Sequence, residues 1–273
     1  MPSPHRMSPP PPPWSLPAPR LYVLPAAQAP VALIMRRGPS GWWHLLRWDL
    51  ERPAVEPGAW FHGLLYPRRC GLSPDGRLLG YFALKHGEDP WHTYFAVSRA
   101  PWLTALAAWH TFGTWTTGCH FGRDGRLTIT GSVDSRPFHG AYPHRVEIEP
   151  VDTRWSDADL YNEHRRGWRA VPGGGRAVER RGPGGQRLVL EHRGVDFGRH
   201  SIEGVLVRYE LDGVDLEDVG WADWDGRGRL LVATRQGEVA ILEHRGVWKR
   251  TWSHDLNGLE PDPTPSPEWA RAW

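Results

Sequence analysis

The stretch Cys70-Gly71-Leu72-Ser73-Pro74-Asp75-Gly76-Arg77-Leu78-Leu79-Gly80-Tyr81-Phe82-Ala83-Leu84 reads as strand, tight turn, strand. Ser73 suits the first position of a type I turn and Pro74 presets φ at the second. Asp75 tolerates the third, and Gly76 supplies a positive φ where the chain re-enters a strand. Cys119-His120-Phe121-Gly122-Arg123-Asp124-Gly125-Arg126-Leu127 is a second copy, and Ala222-Asp223-Trp224-Asp225-Gly226-Arg227-Gly228-Arg229-Leu230 is a looser third.

The turn arginines measure the repeat. Arg77 and Arg126 lie 49 positions apart and Arg126 and Arg229 lie 103 apart, which leaves room for a missing copy between them. Gly185-Gln186-Arg187-Leu188-Val189 matches best. Four-stranded units of about forty to fifty residues signal a β-propeller, in which each blade buries its faces only against its neighbours. The fold expected is therefore all-β, a propeller-like array of antiparallel meanders with about five or six blades and one or two short helices. An irregular or incomplete ring is the alternative.

Outward from the repeats, residues 1–20 are a proline-rich tail unable to build a ladder, residues 21–255 form a single domain, and residues 256–273 form a second proline-rich tail. Short apolar runs at Leu21 to Leu24, Val31 to Met35, Trp42 to Trp48 and Ala54 to Phe61 predict the first strands. Pro101 to Trp109 has helical spacing, with Ser98 as its cap. Ser156-Asp157-Ala158-Asp159 resembles a capping box opening a brief helix through about Arg165.

The formal net charge is +2, with both signs interspersed, which argues against nucleic acid or an anionic membrane as partner. Only Lys85 and Lys249 among the 33 basic residues are lysines. A GC-rich genome accounts for that bias as readily as does arginine's fit to carboxylate and aromatic partners. Two cysteines are too few for a disulfide scaffold and lack zinc spacing. Cys70 and Cys119 each stand three residues before their turn, which predicts equivalent buried, reduced positions. The N-terminus has no apolar leader core, and the expected location is cytoplasmic.

Ser73-Pro74-Asp75-Gly76-Arg77 resembles the strand-turn-strand of WD40-like and TolB-like propeller repeats. The wider block, Arg36 to Ser40, Trp60-Phe61, Tyr66 to Cys70 and Tyr81 to Ala83, is similar to a family of uncharacterised bacterial proteins, and that likeness implies no activity.

The 17 tryptophans read mainly as core, with a minority exposed. Exposed around a channel mouth, Trp and Arg make a protein-binding surface, because each combines large contact area with a polar handle. The candidate binding residues are Arg37, Trp42, Trp60, Arg68 and Arg69. His86, Glu88, Asp89 and His92 fall within seven positions and carry metal-ligating groups, although their spacing matches no known ligand set and a solvated turn is the plainer reading. No catalytic residue is assigned. The chain has no Gly-x-Ser-x-Gly elbow, and nothing in one sequence pairs Asp134, Asp223 or Asp225. The function expected is a non-catalytic protein-binding or scaffold module with no cofactor. The alternative is a hydrolase or lyase with a metal-assisted site in the central channel.

Overall fold

In the computed structural model, residues 17–38, 41–85, 90–113, 118–150, 161–195 and 203–273 are described. They form five sheets arranged in a ring as a five-bladed propeller. Blade 1 contains β1 (Arg20–Pro25), β2 (Val31–Arg37), β3 (Trp42–Asp49) and β4 (Ala54–His62), paired antiparallel in that order. Blade 2 contains β5 (Leu64–Leu65), β6 (Gly71–Leu72), β7 (Leu78–Leu84), β8 (Thr93–Arg99) and β9 (Ala107–His110). Its β5 and β6 both pair with β7 and are separated by a 3-10 turn at Pro67–Arg69.

Blade 3 is the irregular one. After β10 (Gly118–Phe121) and β11 (Leu127–Thr130), β12 (His139–Gly140) crosses to the β9 edge of blade 2. The chain then returns as β13 (Val146–Glu149), which pairs parallel with β11. A short helix, α1 (Tyr161–Arg165), precedes blade 4. That blade holds β14 (Arg169–Ala170), β15 (Ala177–Arg181), β16 (Arg187–Val195), β17 (Val205–Leu211) and β18 (Val214–Asp215). Blade 5 holds β19 (Val219–Trp224), β20 (Leu230–Thr234), β21 (Glu238–His244) and β22 (Trp248–Asp255).

The repeated turn joins β6 to β7, β10 to β11, β15 to β16 and β19 to β20. The N–H of Ser73, Gly122, Gly182 and Asp225 donates to the carbonyl of Leu78, Arg126, Gln186 and Arg229, at 2.7 to 3.0 Å. Each turn has a glycine at positive φ: Gly76 at 75°, Gly125 at 79°, Gly185 at 86° and Gly228 at 79°. The missing copy is thus the Gly182–Gln186 turn. Blade 1 makes its equivalent turn without glycine, Ala26 N–H donating to Val31 O at 2.9 Å.

The core lies between blades, because a sheet this thin covers its apolar faces only against its neighbours. Trp43, Trp48, Tyr81 and Trp221 join blades 1, 2 and 5; Phe82, Phe95, Trp109 and Ile129 join blades 2 and 3; Leu188, Tyr209 and Trp224 join blades 4 and 5. Trp269 and Trp273 are exposed. Cys70 and Cys119 are buried free thiols. Gly71 and Gly80 face each other across β6 and β7, and a Cβ on Gly80 would lie 2.5 Å from Cys119 Sγ, so the missing side chains admit the thiol of the next blade.

The helix expected over Pro101 to Trp109 does not form. Residues 102–105 are irregular and Ala107–His110 is strand β9. Ser98 Oγ donates to Trp102 O at 2.7 Å instead of capping a helix. A short apolar run covered on both sides has no periodicity to separate strand from helix. The start of the second expected helix, Ser156 to Asp159, lies outside the described residues, and α1 ends at Arg165 as expected.

Residues 256–273 run over the ring as a strap. Arg36, 3% exposed, donates to Leu256 O at 2.8 Å and Leu259 O at 3.1 Å. Thr104 then bonds Ser266, Arg99 bonds Ala272 O, and Trp273 meets the Tyr142 ring. No helix among the described residues is long and apolar enough to cross a membrane.

Candidate functional site

A column of ions fills the axis of the ring. The 3-10 turn opens on Pro67, whose fixed φ suits the first helical position, and turns Arg68 inward to 2% exposure. Its guanidinium donates to Glu163 Oε1 of α1 at 2.6 Å and lies 5.2 Å from the Tyr22 ring. The Tyr22 hydroxyl donates to the same carboxylate at 3.2 Å. Further along the axis, Asp223 of β19, wholly buried, faces Arg166 Nε at 3.4 Å and accepts from Arg180 Nη1 at 2.5 Å. Burial works against the Arg68 charge, and Glu163 with the neighbouring tyrosines and Glu203 more than restores it. Burial and then Glu163 push the Tyr22 phenol above its ordinary range.

At one mouth, where β1 starts and β2 ends, a cavity of about 370 Å³ is lined in part by Arg20, Tyr22, Arg68 and Arg235. Three of the sequence-predicted residues converge beside it. Arg37 stands opposite Arg20 in the β1–β2 register, half-buried over the Trp43 ring at 5.5 Å. Arg69 lies 4.7 Å from the Tyr66 ring and 5.6 Å from Phe82. Arg68 is their neighbour but sits inside the ring, its backbone N–H donating to Glu203 Oε1 at 2.8 Å. Burial holds Arg37 below its usual range, opposed by Glu203 and Tyr66.

Trp42 and Trp60 lie farther out on blade 1, edge to face at 6.5 Å. Trp60 stacks on His44 at 4.0 Å, with Arg36 6.0 Å from its ring. It also lines an open groove of about 710 Å³ with Phe61, Tyr81, Trp91 and Tyr94, bordered by Thr264 and Ser266 of the strap.

Of the metal-ligand candidates, His92 is exposed just before β8, while His86, Glu88 and Asp89 lie outside the described residues. Among the described residues, no group of three or more His, Cys, Asp or Glu side chains is placed to hold a metal ion.

The opposite mouth, on the side of the repeated turns, opens on a cavity of about 320 Å³ to which all five blades contribute. Asp223, Arg166 and Arg180 form its charged wall. Sequence reasoning missed Glu163, Arg166 and Arg180. Asp223 was visible in the third turn copy, but its partners lie 43 or more positions away, and no local signal links them.

Comparison with known proteins gives no match, whether to family models, to curated proteins or to solved structures.

Proposed function

We propose that the chain is a non-catalytic binding module that holds an extended, acidic, proline-containing segment of another protein. Arg37 and Arg69 meet the acidic side chains, and the groove around Trp60, Tyr81 and Trp91 takes the prolines. The observation that carries this reading is the path of the protein's own Pro261-Asp262-Pro263-Thr264-Pro265-Ser266-Pro267. This segment borders that groove and is anchored by the Thr104 to Ser266 hydrogen bond of 2.8 Å. Proline-rich segments are already extended, so they dock on aromatic surfaces with little ordering cost. The likeness of the Ser73 to Arg77 turn to WD40-like and TolB-like repeats supports a cytoplasmic, bacterial scaffold of this kind, although fold alone does not set function. Glu163 and Asp223, the axial carboxylates, are each engaged by arginine, which favours binding over hydrolysis or elimination in the channel.

Affinity capture with the full chain, compared with Arg37→Glu and Arg69→Glu, tests the reading. A partner whose acidic proline-containing peptide binds the parent and loses at least about tenfold in affinity to either variant supports it. Unchanged capture by folded variants overturns it.

A further inference from the structure

We propose that the cavity at the repeated-turn mouth is a binding site for a small organic monocarboxylate with an apolar body. The charge count of the wall comes first. Arg166 and Arg180 share one buried carboxylate, Asp223, which among the described residues leaves one positive charge in excess. The other charges nearby are answered. Asp225 accepts from Arg229 Nε at 2.7 Å and from the N–H of Arg227 and Arg229 at 2.9 and 2.8 Å. Arg165 meets Glu149 at 3.0 Å, and the nearest oxygen of Glu163 to Arg166 is already taken by Arg68.

The donors are also incomplete. Arg166 Nη1 is buried without a hydrogen-bond partner among the described residues. Arg166 and Arg180 side chains remain 19% and 30% exposed, at a cavity they both line. Asp223 fixes one edge of the Arg180 guanidinium and fronts Nε of Arg166, which preorganises both for a second oxyanion. A planar carboxylate suits paired guanidinium edges. A single negative charge matches the single excess positive one, whereas a phosphate dianion would overshoot it.

The remaining wall selects the body of the ligand. Leu72, Phe121 and Trp224 line the cavity, and the Trp224 indole N–H already donates to Arg180 O at 3.3 Å, so it offers a ligand no donor. The volume, about 320 Å³, fits a compact molecule of one ring or a short branched chain. This site is separate from the outer groove of blade 1, and its failure leaves the partner-capture experiment unaffected.

Isothermal titration of the full chain with benzoate tests the site, with benzamide, phenyl phosphate and inorganic phosphate as comparisons. Benzoate is expected to bind one to one and saturably, at least about tenfold tighter than benzamide and no weaker than phenyl phosphate. Two variants locate it. Arg180→Lys keeps the charge and removes the fork. Ala27→Trp fills the cavity from an exposed lining position without touching the charges. Each is expected to weaken benzoate binding at least about tenfold. Absence of saturable benzoate binding, equal binding of benzamide, tighter binding of either phosphate, or affinity unchanged in Ala27→Trp overturns the proposal.

Discussion

The Arg68 guanidinium and the Glu163 carboxylate meet at 2.6 Å across 95 positions of sequence, and neither side chain is more than 3% exposed. Together they join the 3-10 turn of blade 2 to α1, the only helical element placed between blades 3 and 4 among the described residues. Removing one charge strips the other, still buried, of its nearest counter-charge. Arg68→Met and Glu163→Met are each expected to cost about 3–5 kcal/mol of unfolding free energy, and the double variant clearly less than their sum. Denaturant unfolding of the four proteins measures the coupling, and strict additivity would refute a direct pair.

His44 makes stability depend on pH. It is 3% exposed, stacked on Trp60, and both ring nitrogens lack a hydrogen-bond partner among the described residues. Burial, and then Arg36, lower its pKa from 6.5 to about 4. Between those values the unfolded chain takes up the proton and the folded one does not. The contribution is therefore fully present above about pH 6.5 and is lost as pH falls toward about 4, by about 3 kcal/mol over the window. His44→Phe, which keeps the ring stack, is expected to flatten this part of the stability curve. An undiminished slope in urea titrations at pH 4 to 7 would assign it elsewhere.

The Gly80 and Cys119 contact tests the joint between blades 2 and 3. An added Cβ at Gly80 would press on Cys119 Sγ at 2.5 Å, so Gly80→Ala is expected to destabilise by about 1–3 kcal/mol. Adding Cys119→Ala removes the sulfur and should recover part of the loss. A double variant at least as unstable as the two single losses combined would show that the thiol is not what the methyl meets.

One buried arginine anchors the near end of the strap. Arg36→Met removes the donors to Leu256 O and Leu259 O, and residues 257–265 are otherwise exposed. Brief proteinase K digestion is expected to trim the C-terminal segment at least about fivefold faster in this variant while the ring persists. Equal trimming rates would mean that contacts nearer Trp273 hold it alone.

Turn chemistry made the ring legible. Gly76, Gly125 and Gly228 mark three blades because a positive φ favours a residue without Cβ, and Gly185 marks the fourth more faintly because Gly184 stands where the first two copies carry Asp. Blade 1 carries Ala29 and Pro30 at this joint and left no such mark. The Pro101 to Trp109 stretch misled because burial of its second half on both faces erases alternation. The axial ions were invisible for a different reason. Arg68 beside Arg69 looks like a solvated pair, and only closure of the ring brings Glu163 to one of them and leaves the other against Tyr66.

Blade 1 comes from residues 20–62 and blade 5 from residues 219–255, so among the described residues no strand is exchanged across the seam where β1 meets β19. While the chain is being synthesised it is therefore an open arc. Most strand pairings join near neighbours in sequence and form quickly, but the side of β1 that meets β19 waits uncovered until the last blade docks. Tyr22, whose ring meets Trp221 of blade 5 edge-on at 6.3 Å, spends that interval against solvent, which makes the seam the slowest joint to form and the nascent chain's main exposure to aggregation.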